Sequence, residues 1–242
     1  MTTRNKTIIG ISLLILVIIA SAIAIKKQSP KGVITGEVVS LDLEQEVTLA
    51  QVVSKNIQKK ETFYEIDVVY PQFGIATMDK EASDYVVRAT QEFEQMVAND
   101  DFYTQEGRVS ALIIEYTIKQ SDRANVVVFT GYQDTGGAHP NPFVHTIAFN
   151  KQGELMTLND LFAVPESEYL KRLQQISTKV LTEKLEGGFF KEGVEPKAEN
   201  WANWYLLDNA VQILFSPYQV GPYAVGMPEV TIPFSQIQDL MK

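Results

Sequence analysis

Both histidines of the 242-residue chain lie in one stretch, Gly131 to His145, which reads GYQDTGGAHPNPFVH. Imidazole rings bind metal ions and transfer protons near neutral pH, so two of them in one loop could do chemistry. The same stretch contains two adjacent glycines and two prolines, which are typical residues of a tight turn. Three interpretations therefore compete: a metal site, a catalytic loop and a structural turn.

The metal-site interpretation needs more ligands than the stretch supplies. A zinc ion takes three or four protein ligands, and the His-x-x-x-His spacing that places two of them on one helix face is absent. Asp134 or Glu154 could complete a set with His139 and His145 only if the fold brought them together. The chain contains no cysteine, which excludes thiolate sites, thiol catalysis and disulfides. We predict no metal site, and no cofactor, since a glycine-rich phosphate loop is also absent.

A catalytic role for His139 would require a nucleophile or an acid within hydrogen-bond reach. Tyr132, Asp134 and Thr135 are close in sequence, but no nucleophile elbow or triad pattern surrounds them. We therefore predict no catalytic residue. A hydrolase or deacetylase that acts on the cell wall through the His139 loop is the alternative.

The structural interpretation explains the composition of the stretch better. Gly136 and Gly137 permit positive φ angles, and the two following prolines stiffen the exit from the loop. A histidine nitrogen can also hydrogen-bond to a loop carbonyl. We predict that Gly136, Gly137 and His139 form a structural turn between two strands, with His139 hydrogen-bonded within the fold.

A second candidate site lies near the C-terminus, in the loop from Ser216 to Gly226. Tyr218 and Tyr223 are set there among prolines and glycines that restrict or shape the backbone. A tyrosine offers a broad apolar face and a hydroxyl group, which suits a sugar ring or a protein partner. We predict that both tyrosines contact a ligand; the alternative is that they cover the sheet and hold the loop down.

Other residues that could do chemistry are less distinctive. Trp201 and Trp204 would share one face if the segment were helical, and we expect core packing rather than a glycan platform. Carboxylates are numerous, but no pair is singled out by its spacing, so a glycosidase has no support.

The N-terminal region predicts a membrane anchor. Ile8 to Ile25 contains eighteen residues without a charge, and a helix of that length spans about 27 Å, close to a hydrocarbon core of about 30 Å. We predict a cytoplasmic stub over residues 1–7, a single-pass helix over 8–25 in the cell membrane, and an extracytoplasmic C-terminal domain. The alternative is a signal peptide cleaved near Ala24, which would leave a secreted or periplasmic protein.

The charge of the remainder limits its partners. The first 27 residues contain four basic residues and no acid, which leaves 17 basic and 30 acidic residues and a net charge of −13 beyond them. Such a surface repels nucleic acid and anionic lipid and favours a cationic partner.

The elements that would position the candidate residues follow from hydrophobic periodicity. Residues 26–60 predict a tether and a weakly patterned segment. Amphipathic helices are predicted over Asp79 to Ala98 and Glu168 to Leu185. Strands are predicted over Phe63–Tyr70, Val109–Lys119, Asn125–Asp134, Phe143–Phe149, Ala210–Phe215 and Glu229–Pro233. Residues 61–242 therefore predict an α+β domain, with an antiparallel sheet packed by two main amphipathic helices.

Three segments together resemble a known bacterial family. The segments are YQDTGGAH at Tyr132 to His139, the turn NKQGE followed by LNDLF at Asn150 to Phe162, and FSPYQVGPYAVG at Phe215 to Gly226 with VTIP after it. They resemble the RsiV-like extracytoplasmic domain of unknown function, found in the anti-sigma factor RsiV and beside the catalytic domain of the peptidoglycan deacetylase PdaC. The resemblance covers a PdaC/RsiV-like first part, about 61–134, and an RsiV-like second part, about 135–242.

The resemblance implies an α+β fold outside the cytoplasm. Because the domain of RsiV binds lysozyme, a cationic protein, it also implies binding or sensing. The stub before the predicted helix is too short to hold a sigma factor, and no deacetylase domain is recognisable, so we expect the accessory domain alone. The expected function is a membrane-anchored, non-catalytic binding or sensing domain of the cell envelope, whose ligand is a cationic, lysozyme-like protein or a peptidoglycan-type glycan. A purely structural envelope protein is a further alternative.

Overall fold

The computed structural model describes residues 52–98 and 109–242. The predicted membrane helix and most of the predicted tether lie outside these residues. Within the two described ranges, no helix is both long enough and apolar enough to cross a membrane.

Nine strands and two α-helices form the described part of the chain. The helices are α1 (Ala76–Ala98) and α2 (Glu166–Lys184). The strands are β1 (Val53–Lys60), β2 (Tyr64–Gln72), β3 (Ser110–Gln120), β4 (Ala124–Asp134), β5 (Asn141–Asn150), β6 (Leu155–Met156), β7 (Trp204–Leu207), β8 (Ala210–Leu214) and β9 (Glu229–Pro233). The predicted α+β class is confirmed.

The first six strands form one sheet in chain order, β1 to β6. All neighbouring strands are antiparallel except β2 and β3, which pair in parallel. A parallel pair requires a crossover, and α1 supplies the helix between these two strands. The sheet is therefore mixed, where the sequence predicted antiparallel pairing throughout.

Strand β1 falls inside the segment that the sequence predicted as a tether. Seven of its eight residues are exposed, so its sequence has no apolar alternation that would reveal a strand. Its place in the sheet is set by backbone pairing with β2, from Val53 opposite Gln72 to Lys60 opposite Glu65. The folded domain consequently begins earlier than residue 61.

Helix α1 covers one face of the six-stranded sheet. Its buried side chains recur every three or four residues and lie on one side of the helix. The buried apolar residues of this layer are Met78, Ala82, Val86, Phe93 and Val97. Near the helix start, the Asp79 carboxylate accepts hydrogen bonds from the backbone N–H groups of Phe73, at 2.5 Å, and Gly74, at 3.1 Å. These bonds fix the turn by which β2 enters the helix.

Strands β7, β8 and β9 form a separate antiparallel sheet, which α2 covers on its outer side. The sequence did not predict β7, because ENWANWYLL also has helical spacing. The structure places Trp201 at the end of a 3-10 helix and Trp204 at the start of β7. Both indoles are almost completely buried, as expected for core packing.

Strand β4 lies between the two layers. Val126 and Val128 pack towards the three-stranded sheet, whereas Val127 and Phe129 pack towards α1. Burial of each of these side chains contributes about 1.5–3 kcal/mol. A strand that is buried on both faces reads as a continuous apolar run, which is the pattern of NVVVF here.

Candidate functional site

The stretch with the two histidines connects β4 to β5. Gly136 has a φ of +73°, and its N–H donates to the Asp134 carboxylate at 2.9 Å. Gly137 has no positive φ, so only the first of the two glycines uses the conformational freedom that the sequence suggested. His139 follows on the exposed side of this turn.

His139 contacts both tyrosines of the second candidate loop. Its Nδ1 donates to the carbonyl of Pro140 at 2.9 Å, and its Nε2 lies 3.3 Å from the Tyr218 hydroxyl. Its ring is stacked on Tyr223, with centroids 3.6 Å apart and planes at 20°. The Tyr223 hydroxyl donates to the same Pro140 carbonyl at 3.2 Å. We call His139, Tyr218 and Tyr223 the aromatic cluster.

Tyr218 is an exposed ring of the aromatic cluster. Its side chain is 50% exposed, and its backbone has a φ of +64°. A residue with a β-carbon pays roughly 1–2 kcal/mol for the left-handed conformation. Backbone strain of this kind is concentrated at functional sites, so the conformation of Tyr218 marks this loop as a candidate site.

Two neighbours of Tyr218 hold the loop to the domain. The Gln219 amide donates to the carbonyls of Gly193 and Asn200, both at 2.9 Å, and accepts from the Ser216 N–H at 3.0 Å. Val220 is fully buried. The loop is thus fixed from inside by Gln219 and Val220, while Tyr218 faces outwards.

A close backbone contact completes this attachment. A β-carbon built on Gly193 would lie 1.9 Å from the carbonyl oxygen of Gln219, a separation that no side chain can tolerate. Glycine at position 193 is therefore required for the observed approach of the two segments.

The chemistry available at the aromatic cluster is that of a contact surface. Exposed aromatic rings can stack on a sugar ring or on a protein side chain, and the hydroxyls can hydrogen-bond at the same time. Because the rings already contact one another and the loop is anchored, little side-chain entropy would be lost on binding.

His145 belongs to a different environment from His139. It lies on β5 facing α1, and its ring is stacked on Tyr85 with centroids 4.1 Å apart. Burial, with a smaller effect of the Arg88 charge, lowers the pKa of His145 to about 4. The two imidazoles thus stack on different tyrosines. In residues 52–98 and 109–242, no three His, Asp or Glu side chains are grouped closely enough to hold a metal ion.

A cleft of about 990 Å³ lies beside His145, and the sequence did not predict it. Its walls come from α1, from β5 and β6, from the start of α2 and from the segment that contains the two tryptophans. Five separate regions of the chain contribute, so no local spacing could reveal the cleft.

The comparisons with known proteins relate part of the chain to a family. Residues 159–235 match the model of a protein family of unknown function, DUF3298. The matched segment contains α2, the three-stranded sheet and the loop with Tyr218 and Tyr223. This loop is thus part of the DUF3298 match, whereas the loop with His139 precedes it.

A curated relative extends the similarity to more of the chain. The chain is 26% identical over 182 residues to the peptidoglycan-N-acetylmuramic acid deacetylase PdaC of Bacillus subtilis (strain 168). This match covers 72% of the chain but only 38% of the relative, and it lies in the accessory region rather than in the deacetylase domain. The predicted relationship to PdaC is confirmed at this level, whereas the closer resemblance to the anti-sigma factor RsiV stays a prediction.

Two solved structures share the fold. A DUF3298 family protein from Pseudomonas aeruginosa PAO1 matches with a TM-score of 0.60 and 16% identity, covering 80% of this chain and 96% of that one. A member of the same family from Bacteroides fragilis NCTC 9343 matches with a TM-score of 0.55 and 18% identity, covering 82% and 96%. At such identities the similarity shows the fold alone.

Proposed function

We propose that the protein is a non-catalytic binding or sensing domain of the bacterial cell envelope, and that its ligand contacts the aromatic cluster. The observation that carries this proposal is the contact between two loops that are far apart in the sequence. His139 lies on one loop and Tyr218 and Tyr223 on the other, and these loops contain two of the distinctive sequence segments of the chain.

Two ligand classes fit this surface. A peptidoglycan-type glycan is supported by the exposed ring of Tyr218 and by the similarity to a protein named for a reaction on peptidoglycan. A cationic, lysozyme-like protein is supported by the net charge of −13 beyond residue 27, which would attract such a partner over about one Debye length, roughly 8 Å. The salt dependence of binding separates the two, because only the cationic partner loses affinity steeply at high salt.

The direct test is binding by the purified full-length chain in detergent, measured against insoluble peptidoglycan sacculi and against lysozyme. We expect one of the two probes to be bound, with the affinity reduced at least about tenfold in Tyr218→Ala. Tyr132→Ala is the matched control, since Tyr132 is also exposed but lies outside the aromatic cluster. Equal binding by both variants and the wild type would contradict the proposal.

The alternative function is catalytic, as a cell-wall hydrolase or deacetylase that uses the His139 loop. Incubation of the chain with peptidoglycan fragments tests it directly. Release of acetate or of shorter fragments, lost in His139→Ala, would replace the binding proposal by an enzymatic one.

Membrane attachment is part of the proposal. We infer from the apolar segment Ile8 to Ile25 that the domain is tethered to the cell membrane with its C-terminal part outside. Protease added to intact cells is expected to digest the domain and leave a short membrane fragment. A mature protein that begins near Ala24 would instead show a cleaved signal peptide.

A further inference from the structure

The cleft beside His145 is large enough to hold a small molecule. A volume of about 990 Å³ is at the upper end of the range that ligand pockets occupy. Its lining combines apolar side chains such as Ile147 and Leu155 with hydroxyl, amide and charged groups. The polar groups of such a lining can fix the orientation of a bound ligand.

Two stacked aromatic rings contribute to one wall of the cleft. Tyr85 and His145 are stacked with their planes at 13°, and Tyr85 in turn contacts Phe129 in the core, with ring centroids 4.8 Å apart. Both rings are half-buried, so they are fixed from behind while part of each contributes to the cleft lining. Because the two rings cover one face of each other, a sugar could contact only the parts of the rings that the stack leaves free, and these form a rigid apolar surface.

The charges of the cleft single out Arg88. Lys80 is paired with Asp84 one turn further along α1, so these two charges neutralise each other. Glu81 and Glu166 also line the cleft and add negative charge. Among the described residues, Arg88 has no acidic side chain within salt-bridge distance, although it lies close enough to lower the pKa of His145 and to oppose the rise in the pKa of Tyr85.

The guanidinium of Arg88, which has no acidic partner among the described residues, indicates the charge of a ligand. Its planar donors match a carboxylate, and two parallel hydrogen bonds to a carboxylate are stronger than bonds between neutral groups. We propose that the cleft binds a short saccharide that carries a carboxylate, with the sugar packed against the free parts of Tyr85 and His145 and the carboxylate on Arg88. This site is separate from the aromatic cluster, and it would make the envelope glycan of the proposed function an acidic one.

The test is an NMR titration of the full-length chain in which the two imidazoles are observed. The probes are N-acetylmuramic acid, N-acetylglucosamine and D-lactate; the first has the ring of the second and the carboxylate of the third. We expect N-acetylmuramic acid to shift the His145 resonances and to raise the pKa of His145, because a carboxylate beside Arg88 offsets the charge that opposes protonation. N-acetylglucosamine and D-lactate should each bind at least about tenfold more weakly.

Two arginine variants complete the design. Arg88→Gln should weaken binding of N-acetylmuramic acid about tenfold or more, whereas Arg123→Gln should leave it unchanged. Arg123 is the matched control because it lies in the turn before β4, with its guanidinium over Phe234.

The proposal is overturned if N-acetylmuramic acid leaves His145 unperturbed, or if the Arg88 variant binds like the wild type. Equal binding of N-acetylglucosamine or D-lactate would also overturn it, since the site would then not require both groups. Perturbation of His139 alone would place the sugar at the aromatic cluster, which contradicts this inference but supports the proposed function. A further outcome is that N-acetylmuramic acid perturbs neither imidazole while Tyr218→Ala loses binding to sacculi or lysozyme. That result would refute the cleft as a site and leave the proposed function standing.

Discussion

The imidazole of His139 is stacked on the phenol ring of Tyr223, with centroids 3.6 Å apart. The two residues come from loops in the two different sheets, one after β4 and the other after β8. Their contact joins the turn of the first sheet to the outer loop of the second.

Because Tyr218 has a positive φ, we predict that its replacement by glycine preserves or raises stability but abolishes binding. Glycine adopts this conformation without the steric cost. The unfolding free energy of Tyr218→Gly should therefore equal that of the wild type or exceed it by up to about 1 kcal/mol. The same change removes the exposed ring, and binding to the ligand of the aromatic cluster should be lost. Urea denaturation and binding are measured on the same samples. A variant that is both less stable and still able to bind would show that Tyr218 only holds the loop in place.

Gly193 should be intolerant of any side chain. Because a β-carbon there would collide with the Gln219 carbonyl, Gly193→Ala should displace the loop and cost about 1–3 kcal/mol of unfolding free energy. The shift should also reach the stack of His139 on Tyr223, which is visible in the His139 NMR resonances. Gly137→Ala is the control, since its β-carbon would meet no atom closer than 3.9 Å. Equal stability of the two variants would contradict the close contact.

His145 should make the fold sensitive to mild acid. Its pKa is about 4 in the folded protein and about 6.5 when unfolded, so the unfolded chain binds more protons between these values. Stability that is fully present above pH 6.5 is therefore lost as the pH falls towards 4, by about 1–3 kcal/mol from this residue.

The contribution of His145 is isolated by comparing variants. Carboxylates also titrate near pH 4, so the quantity to measure is the difference in unfolding free energy between the wild type and His145→Gln at pH 7 and at pH 4.5. We expect the difference to shrink at the lower pH. His139→Gln provides the control, and identical pH profiles for His145→Gln and the wild type would rule out the buried neutral imidazole.

The turn before α1 should depend on Asp79. Removal of its carboxylate leaves the N–H groups of Phe73 and Gly74 without their acceptor, and Asp79→Ala should cost about 1–2 kcal/mol. Asp84→Ala, on the same helix, removes only an exposed ion pair with Lys80 and should cost less than about 0.5 kcal/mol. Thermal unfolding of both variants checks the ranking. Similar losses would show that the carboxylate does not cap this turn.

Much of the fold was predictable where one face of an element is buried. The spacing of Ala82, Val86 and Phe93 located α1, and the alternation of Leu112 and Ile114 located β3. The parallel pairing of β2 with β3 was missed, although a strand, a long helix and a strand in succession are typical of it. Strand β1 was missed for a physical reason: both of its faces are polar, and only its backbone specifies its place.

The candidate site was predictable in its parts and not in its assembly. His139, Tyr218 and Tyr223 were each conspicuous among glycines and prolines, but no local pattern reports that two distant loops touch. The cleft escaped prediction completely because Arg88, Tyr85 and His145 look like an ordinary helix surface and an ordinary strand residue. Only the packing of α1 against β5 brings them together.

Strand β4 is buried on both faces, which limits the segments of the chain that can fold when they are expressed alone. The family model begins at residue 159, after β4, so the segment it matches lacks the strand that covers Trp204 and Leu206. Expressed alone, that segment would expose a large apolar wall and should aggregate. The unit that sequence comparison detects is therefore smaller than the unit that folds, and any shortened form of the chain must retain β4 together with the helix on its other side.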